Sequence, residues 1–189
     1  MIKAIIFDCF GVLAEDGWTP FKQQFLADKP EQLKQVQGIG KQVDDGSRTF
    51  ADMIVQTAHI LDIAEDDVWQ AVNRKVPNTQ LFTYITRELQ PTYKIGLLSN
   101  ASYDIRSQLF TPEQASIFDA SVLSYEVGLV KPDPRIYQAI AEKLGLDASE
   151  CLLVDDQEQH CQGARAVGMQ SVLFTGVPQL RQEVLALHD

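Results

Sequence analysis

Asp8, Ser99, Lys131 and the adjacent pair Asp155-Asp156 are the residues whose types and placement could do chemistry together. Asp8 closes the apolar run Ala4 to Phe7 and precedes Cys9-Phe10-Gly11, so it reads as a carboxylate at the end of a buried strand with a glycine turn beyond it. A second apolar run, Tyr93 to Leu98, ends in Ser99-Asn100. Gly128-Leu129-Val130 leads into Lys131-Pro132-Asp133-Pro134, and Cys151 to Val154 ends in Asp155-Asp156. A carboxylate, a hydroxyl, an ammonium and an acidic pair thus arrive in order, each expected at a strand end. Ligands of an open α/β sheet bind at the carboxyl ends of its strands, which would gather these groups at one mouth. Together they offer a nucleophile, two contacts for phosphoryl oxygens and a metal clamp, which are the parts that metal-assisted attack on a phosphate requires.

The elements that must position these groups alternate. Short buried runs are followed by helical patterns at Ser102 to Phe110, Pro134 to Gly145, Gln159 to Val167 and Pro178 to Leu187, with further strands at Phe118 to Leu123 and Ser171 to Phe174. This alternation specifies an α/β fold, a doubly wound parallel sheet of about five strands. The rhythm stops after Leu13 and resumes near Tyr93. Between them lie helical patterns at Phe21 to Val43, Thr49 to Leu61 and Glu65 to Asn73, then a helix begun by Pro77-Asn78 with Leu81, Ile85 and Leu89 on one face. That last helix feeds the second strand. The expected division is therefore a core of residues 1–14 and 78–189 with a helical insert at 15–77.

Composition narrows the function classes. The chain has 189 residues, 45% of them apolar and 22% charged, as in a globular protein with one sizeable core. A net charge of −10 with no Lys/Arg cluster argues against a nucleic-acid partner, and no apolar stretch is long enough for a membrane span. The three cysteines cannot all pair and lack zinc spacing, so they are expected to be reduced thiols in a cytoplasmic protein. The amino terminus enters strand residues at once, and no signal peptide is expected. The expected partner is a small molecule, bound by a monomer or homodimer.

With these residues in order, the chain resembles the haloacid-dehalogenase-type hydrolases, the superfamily of aspartate-nucleophile phosphatases and dehalogenases, from Met1 to about Gly176. Asp8 falls at the nucleophile position, Ser99 at the second motif, Lys131 at the third, and Asp155-Asp156 at the fourth. Gly163-Ala164 and Val167-Gly168 look like the helix that follows the fourth motif. The resemblance implies a central first strand beside the fourth-motif strand, bringing Asp8 next to Asp155 and Asp156. It also implies an aspartyl-phosphate intermediate on Asp8 and a small helical cap that covers the site. Three carboxylates so close cannot all stay ionised without a cation, and oxygen ligands beside a phosphate suit Mg²⁺. Its implied ligands are Asp8, the backbone carbonyl of Phe10, Asp155 and Asp156. Ser99, Asn100 and Lys131 are the implied phosphate contacts, with Lys131 also keeping Asp8 ionised.

Position 10 departs from the pattern. Phosphatases of this family usually carry Asp-x-Asp, the second Asp being the general acid and base, and a phenyl ring cannot move a proton. Glu15, Asp16 and His160 are the residues that could substitute, Asp16 first because it follows the motif in the loop into the insert. The expected activity is that of a Mg²⁺-dependent phosphatase acting on a small phosphate ester. The alternatives are a metal-independent 2-haloacid dehalogenase-type hydrolase, for which an aromatic at position 10 speaks, and a non-catalytic binding or regulatory member of the fold.

Overall fold

The structure, a computed structural model, describes residues 1–15, 17–44, 47–72, 76–101 and 103–188. Five parallel strands form one sheet in the order β3-β2-β1-β4-β5: β1 (Ala4–Phe7), β2 (Lys94–Ser99), β3 (Ala120–Leu123), β4 (Cys151–Asp155) and β5 (Gln170–Leu173). β1 is central, and all four of its residues are buried. Side chains alternate across a strand, so β1 must be apolar on both faces, which explains a run without polar interruption. Ile5 and Phe7 join Ile95, Leu97, Leu152 and Val154 in one core cluster, whereas Ala4 and Ile6 join Leu98, Val122 and Leu153 in another. Helices cover each face, and the sheet is doubly wound as expected.

Register sets the site. Phe7 stands opposite Leu97 of β2 and Val154 of β4. Asp8, one residue on, is therefore level with Asp155, and its N–H continues the ladder to the Val154 carbonyl at 2.9 Å.

The chain leaves the sheet after β1 and builds four helices: α1 (Trp18–Phe25), α2 (Pro30–Asp44), α3 (Phe50–Leu61) and α4 (Glu65–Val72). These pack around their own cluster, which includes Phe21, Leu26, Val36, Ile54, Leu61 and Val68. The outgoing and returning segments run side by side. Glu15 N–H donates to the Val76 carbonyl at 3.0 Å and Asn78 N–H to the Leu13 carbonyl at 2.8 Å. The Asn78 side chain donates to the Val12 carbonyl at 3.2 Å and accepts from Leu81 N–H at 3.1 Å. It thus caps α5 (Thr79–Tyr84) while tying that helix to the loop after Asp8.

Three expectations need correction. Phe21 to Val43 is two helices, because Pro30 lacks an N–H and disfavours helix in the residue before it, so it can only open a new one. The helix entered at Asn78 ends in a π turn, Ile85–Leu89, with Gln90 N–H reaching the Ile85 carbonyl at 2.9 Å. Gly128 to Val130 is no strand. After β2 come the short helices α6 (Ile105–Leu109) and α7 (Pro112–Ala115); β3 then passes directly into a one-turn helix, α8 (Ser124–Val127), which Gly128 ends in the left-handed region at φ 66°. Lys131 consequently sits in a loop before α9 (Pro134–Leu144) and does not itself close a strand. The remaining helices are α10 (Glu158–Ala166) and α11 (Val177–Leu185). The expected helix starts at Ser102 and ends at Asn73 fall outside the described residues.

Candidate active site

At the carboxyl edge of the sheet, one ammonium joins two carboxylates. The Lys131 Nζ lies 2.8 Å from Asp8 Oδ1 and 2.6 Å from Asp155 Oδ2, and all three side chains are buried. Asp8 Oδ1 also accepts the Cys9 N–H at 2.7 Å. Asp8 Oδ2 has no hydrogen-bond partner among the described residues and is the oxygen left for a reaction. Asp155 is held more fully. Its Oδ1 accepts from Gln157 N–H at 2.9 Å and lies 3.0 Å from His160 Nδ1.

The two carboxylates respond oppositely to the same ammonium. Burial raises Asp8 to about 7; Lys131 opposes this, while the charges of Asp155 and Asp156 add to it. Burial also pushes Asp155 up, but Lys131 and His160 outweigh it and hold that carboxyl at about 2. For Lys131, burial would lower the pKa, yet Asp8 and Asp155 hold it above the ordinary range. A single ammonium cannot neutralise two buried carboxylates, and the one with further donors keeps its charge. Asp8 is left short of positive charge. That deficit suits a cation, and the hard oxygen donors suit Mg²⁺.

Asp8, Asp155 and His160 offer ligand atoms within 4.8 Å of one another. Asp156 is exposed and lies over the loop after Asp8: a Cβ at Gly11 would stand 2.2 Å from its Oδ2. Gly11, at φ 86°, is required by the turn, and a side chain there would displace the Asp156 carboxylate.

The remaining expected contacts behave differently from one another. Ser99 ends β2 fully buried, and among the described residues its Oγ makes one long contact, with the Asn100 carbonyl at 3.5 Å. The Asn100 side chain holds the peptide of Lys131 instead: its Oδ1 accepts the Lys131 N–H at 2.8 Å and its Nδ2 donates to the Lys131 carbonyl at 3.2 Å. No spacing signalled this clamp, because its partner lies in another loop and is recognised through backbone atoms. Phe10 is half-buried against the core cluster. Cys9 is fully buried, and burial together with Asp8 pushes its thiol well up, so it is no nucleophile.

Of the substitutes for the missing acid, Glu15 is exposed on the paired segments leading to the insert, and His160 is buried against Asp155. Asp16 lies outside the described residues.

The sequence profile of haloacid dehalogenase-like hydrolases matches residues 2–168. A phosphatase of Mycobacterium tuberculosis is 28% identical over 202 residues, spanning 97% of this chain and 92% of its own. The D-ribitol-5-phosphate phosphatase of Bacteroides thetaiotaomicron is 26% identical over 205 residues, spanning 99% and 98%. A solved haloacid-dehalogenase-family enzyme from Bacteroides thetaiotaomicron, in complex with magnesium and inorganic phosphate, superposes with a TM-score of 0.66 at 27% identity, covering 91% of this chain and 93% of that one.

Proposed function

This chain belongs to the haloacid dehalogenase-like hydrolase family, and from that premise we propose that it is a Mg²⁺-dependent phosphatase of a small phosphorylated metabolite. The observation that carries the reading is the buried Asp8, 2.8 Å from Lys131 and still short of positive charge. Asp8 Oδ2 attacks phosphorus, the bond to the ester oxygen breaks, and its electron pair leaves with that oxygen. Lys131 neutralises a phosphoryl oxygen as charge develops, and Ser99 Oγ donates to another. Water then attacks phosphorus of the aspartyl-phosphate, releasing phosphate and restoring Asp8.

Asp8, the Phe10 carbonyl, Asp155 and Asp156 are the residues that would hold Mg²⁺. When bound, the ion supplies charge stabilisation to the phosphoryl oxygens. The relative crystallised with magnesium and inorganic phosphate supports the choice of ion. The helices of residues 15–77 are read as a cap that selects the substrate. Three free cysteines support a cytoplasmic setting, and no helix among the described residues is long and apolar enough to cross a membrane. A dehalogenase reading fits less well, since Asp155, held ionised beside Asp8, would repel a departing halide.

Phe10 brings no proton to the leaving oxygen. The test is a panel of phosphate esters assayed with Mg²⁺ and with a chelator. Turnover should require Mg²⁺, and aryl and acyl phosphates should outpace alkyl phosphates, since general acid catalysis worth roughly 10²–10⁴-fold is missing. Undiminished ester turnover in chelator would overturn the Mg²⁺ requirement, and no turnover of any phosphate ester would overturn the phosphatase reading.

A further inference from the structure

His160 belongs to neither the nucleophile nor the oxyanion contacts, yet it is 4% exposed, and its ring faces the best-anchored carboxylate of the site. Asp155 accepts from Lys131 Nζ through Oδ2 and from Gln157 N–H through Oδ1, so the carboxylate is the acceptor on both oxygens and the His160 Nδ1, 3.0 Å away, is the donor of the remaining bond. With Gln157 N–H on the same oxygen, both acceptor positions of Asp155 Oδ1 are filled. The carboxylate can then turn only Oδ2 towards Lys131. The other end of His160 is fixed as well. Its backbone carbonyl accepts the hydroxyl of Tyr137 at 2.9 Å, and Tyr137 is fully buried in α9, the helix that follows the Lys131 loop. Gly163, in the same helix as His160, has no room for a side chain: a Cβ would stand 2.7 Å from the Tyr137 hydroxyl and 2.9 Å from Pro132. The polar links therefore close a ring, from Lys131 along its own chain to Tyr137, across to His160, on to Asp155 and back to the Lys131 ammonium.

We propose that His160 is a positioning residue, which by donating from Nδ1 to Asp155 aims Oδ2 at Lys131 and so sets the ammonium against Asp8. This rests on the phosphatase reading above for what the positioned groups do. Partners that orient metal ligands and charged catalytic groups typically matter by 10–100-fold in activity or metal affinity.

Asparagine and glutamine substitutions separate this role from simple filling of space. An asparagine amide nitrogen reaches about the place of Nδ1, whereas that of glutamine reaches the place of Nε2. Both variants are polar and neither leaves a large void. The experiment compares wild type, His160→Asn and His160→Gln in turnover of p-nitrophenyl phosphate with Mg²⁺, and in calorimetric titration with Mg²⁺ alone. His160→Asn should stay within a few-fold of wild type, while His160→Gln should lose about 10–100-fold in turnover and in Mg²⁺ affinity. Equal behaviour of the two variants, or the reverse order, overturns the inference and leaves the phosphatase reading standing. A wild type that neither turns over phosphate esters nor binds Mg²⁺ overturns the phosphatase reading, and the inference with it.

Discussion

Ser99 and Asp155 end the two strands that flank β1, and both are fully buried, but their polar atoms are used in opposite ways. On the β4 side, Asp155 receives Lys131, His160 and Gln157 N–H. On the β2 side, the Ser99 hydroxyl has a single contact among the described residues, of 3.5 Å, at the limit of a hydrogen bond. The β4 edge is completed by the protein's own groups, whereas the β2 edge keeps an uncommitted donor beside Asp8. A donor held back in this way gains most when an oxyanion arrives, and an anchor already satisfied costs most when it is broken.

The largest expected effect lies on the anchored side. Lys131→Met leaves Asp8 and Asp155 buried without their common partner, and should cost about 3–5 kcal/mol of stability. Urea denaturation measures it; a loss below about 1 kcal/mol would mean that water or relaxation already screens the pair. Ser99→Ala should do the reverse. Its stability should change by no more than about 0.5 kcal/mol, since one long contact is lost, while turnover falls on the order of 10²-fold. If Ser99→Ala destabilised the fold and spared turnover, the contrast between the two edges would be wrong.

The smallest expected effect is the response to pH. Asp8 titrates at about 7 in the fold against an ordinary carboxylate value near 4, so the unfolded chain releases its proton first. Its contribution to stability is present below the ordinary value and is lost as pH rises through 7. Asp155 is opposite: held at about 2, it contributes above the ordinary range and loses that contribution as pH falls. A cation bound beside Asp8 relieves the first loss. The gain in melting temperature from Mg²⁺ over chelator should therefore grow between about pH 5 and pH 8. A gain constant over that interval would mean that Asp8 is not the carboxylate short of charge.

How legible this was in the sequence depends on whether a residue's partner lies near its own strand. Asp8 and Asp155 could be read as strand-end carboxylates because each closes an apolar run and the later strand ends repeat the pattern, while their juxtaposition came from the family resemblance and is seen in the parallel register. Lys131 was visible as a residue type, but its carrier was not, since a one-turn helix and a left-handed glycine replace the expected strand. The roles of Asn100 and His160 were hidden, because one binds a distant backbone and the other stands where only folding brings Tyr137 and Asp155 together. In the insert, apolar spacing continued through Asp28-Lys29-Pro30, and only the backbone chemistry of proline shows that the helix must break there.

The most direct measurement of the central claim is to quench the wild-type protein during turnover of an aryl phosphate with Mg²⁺ and map the phosphoryl group by mass spectrometry. The account predicts an adduct on the peptide carrying Asp8, absent from Asp8→Asn, which should remain folded and lose turnover. An unmodified Asp8 peptide during turnover, with Asp8→Asn retaining near-wild-type rates, would contradict it.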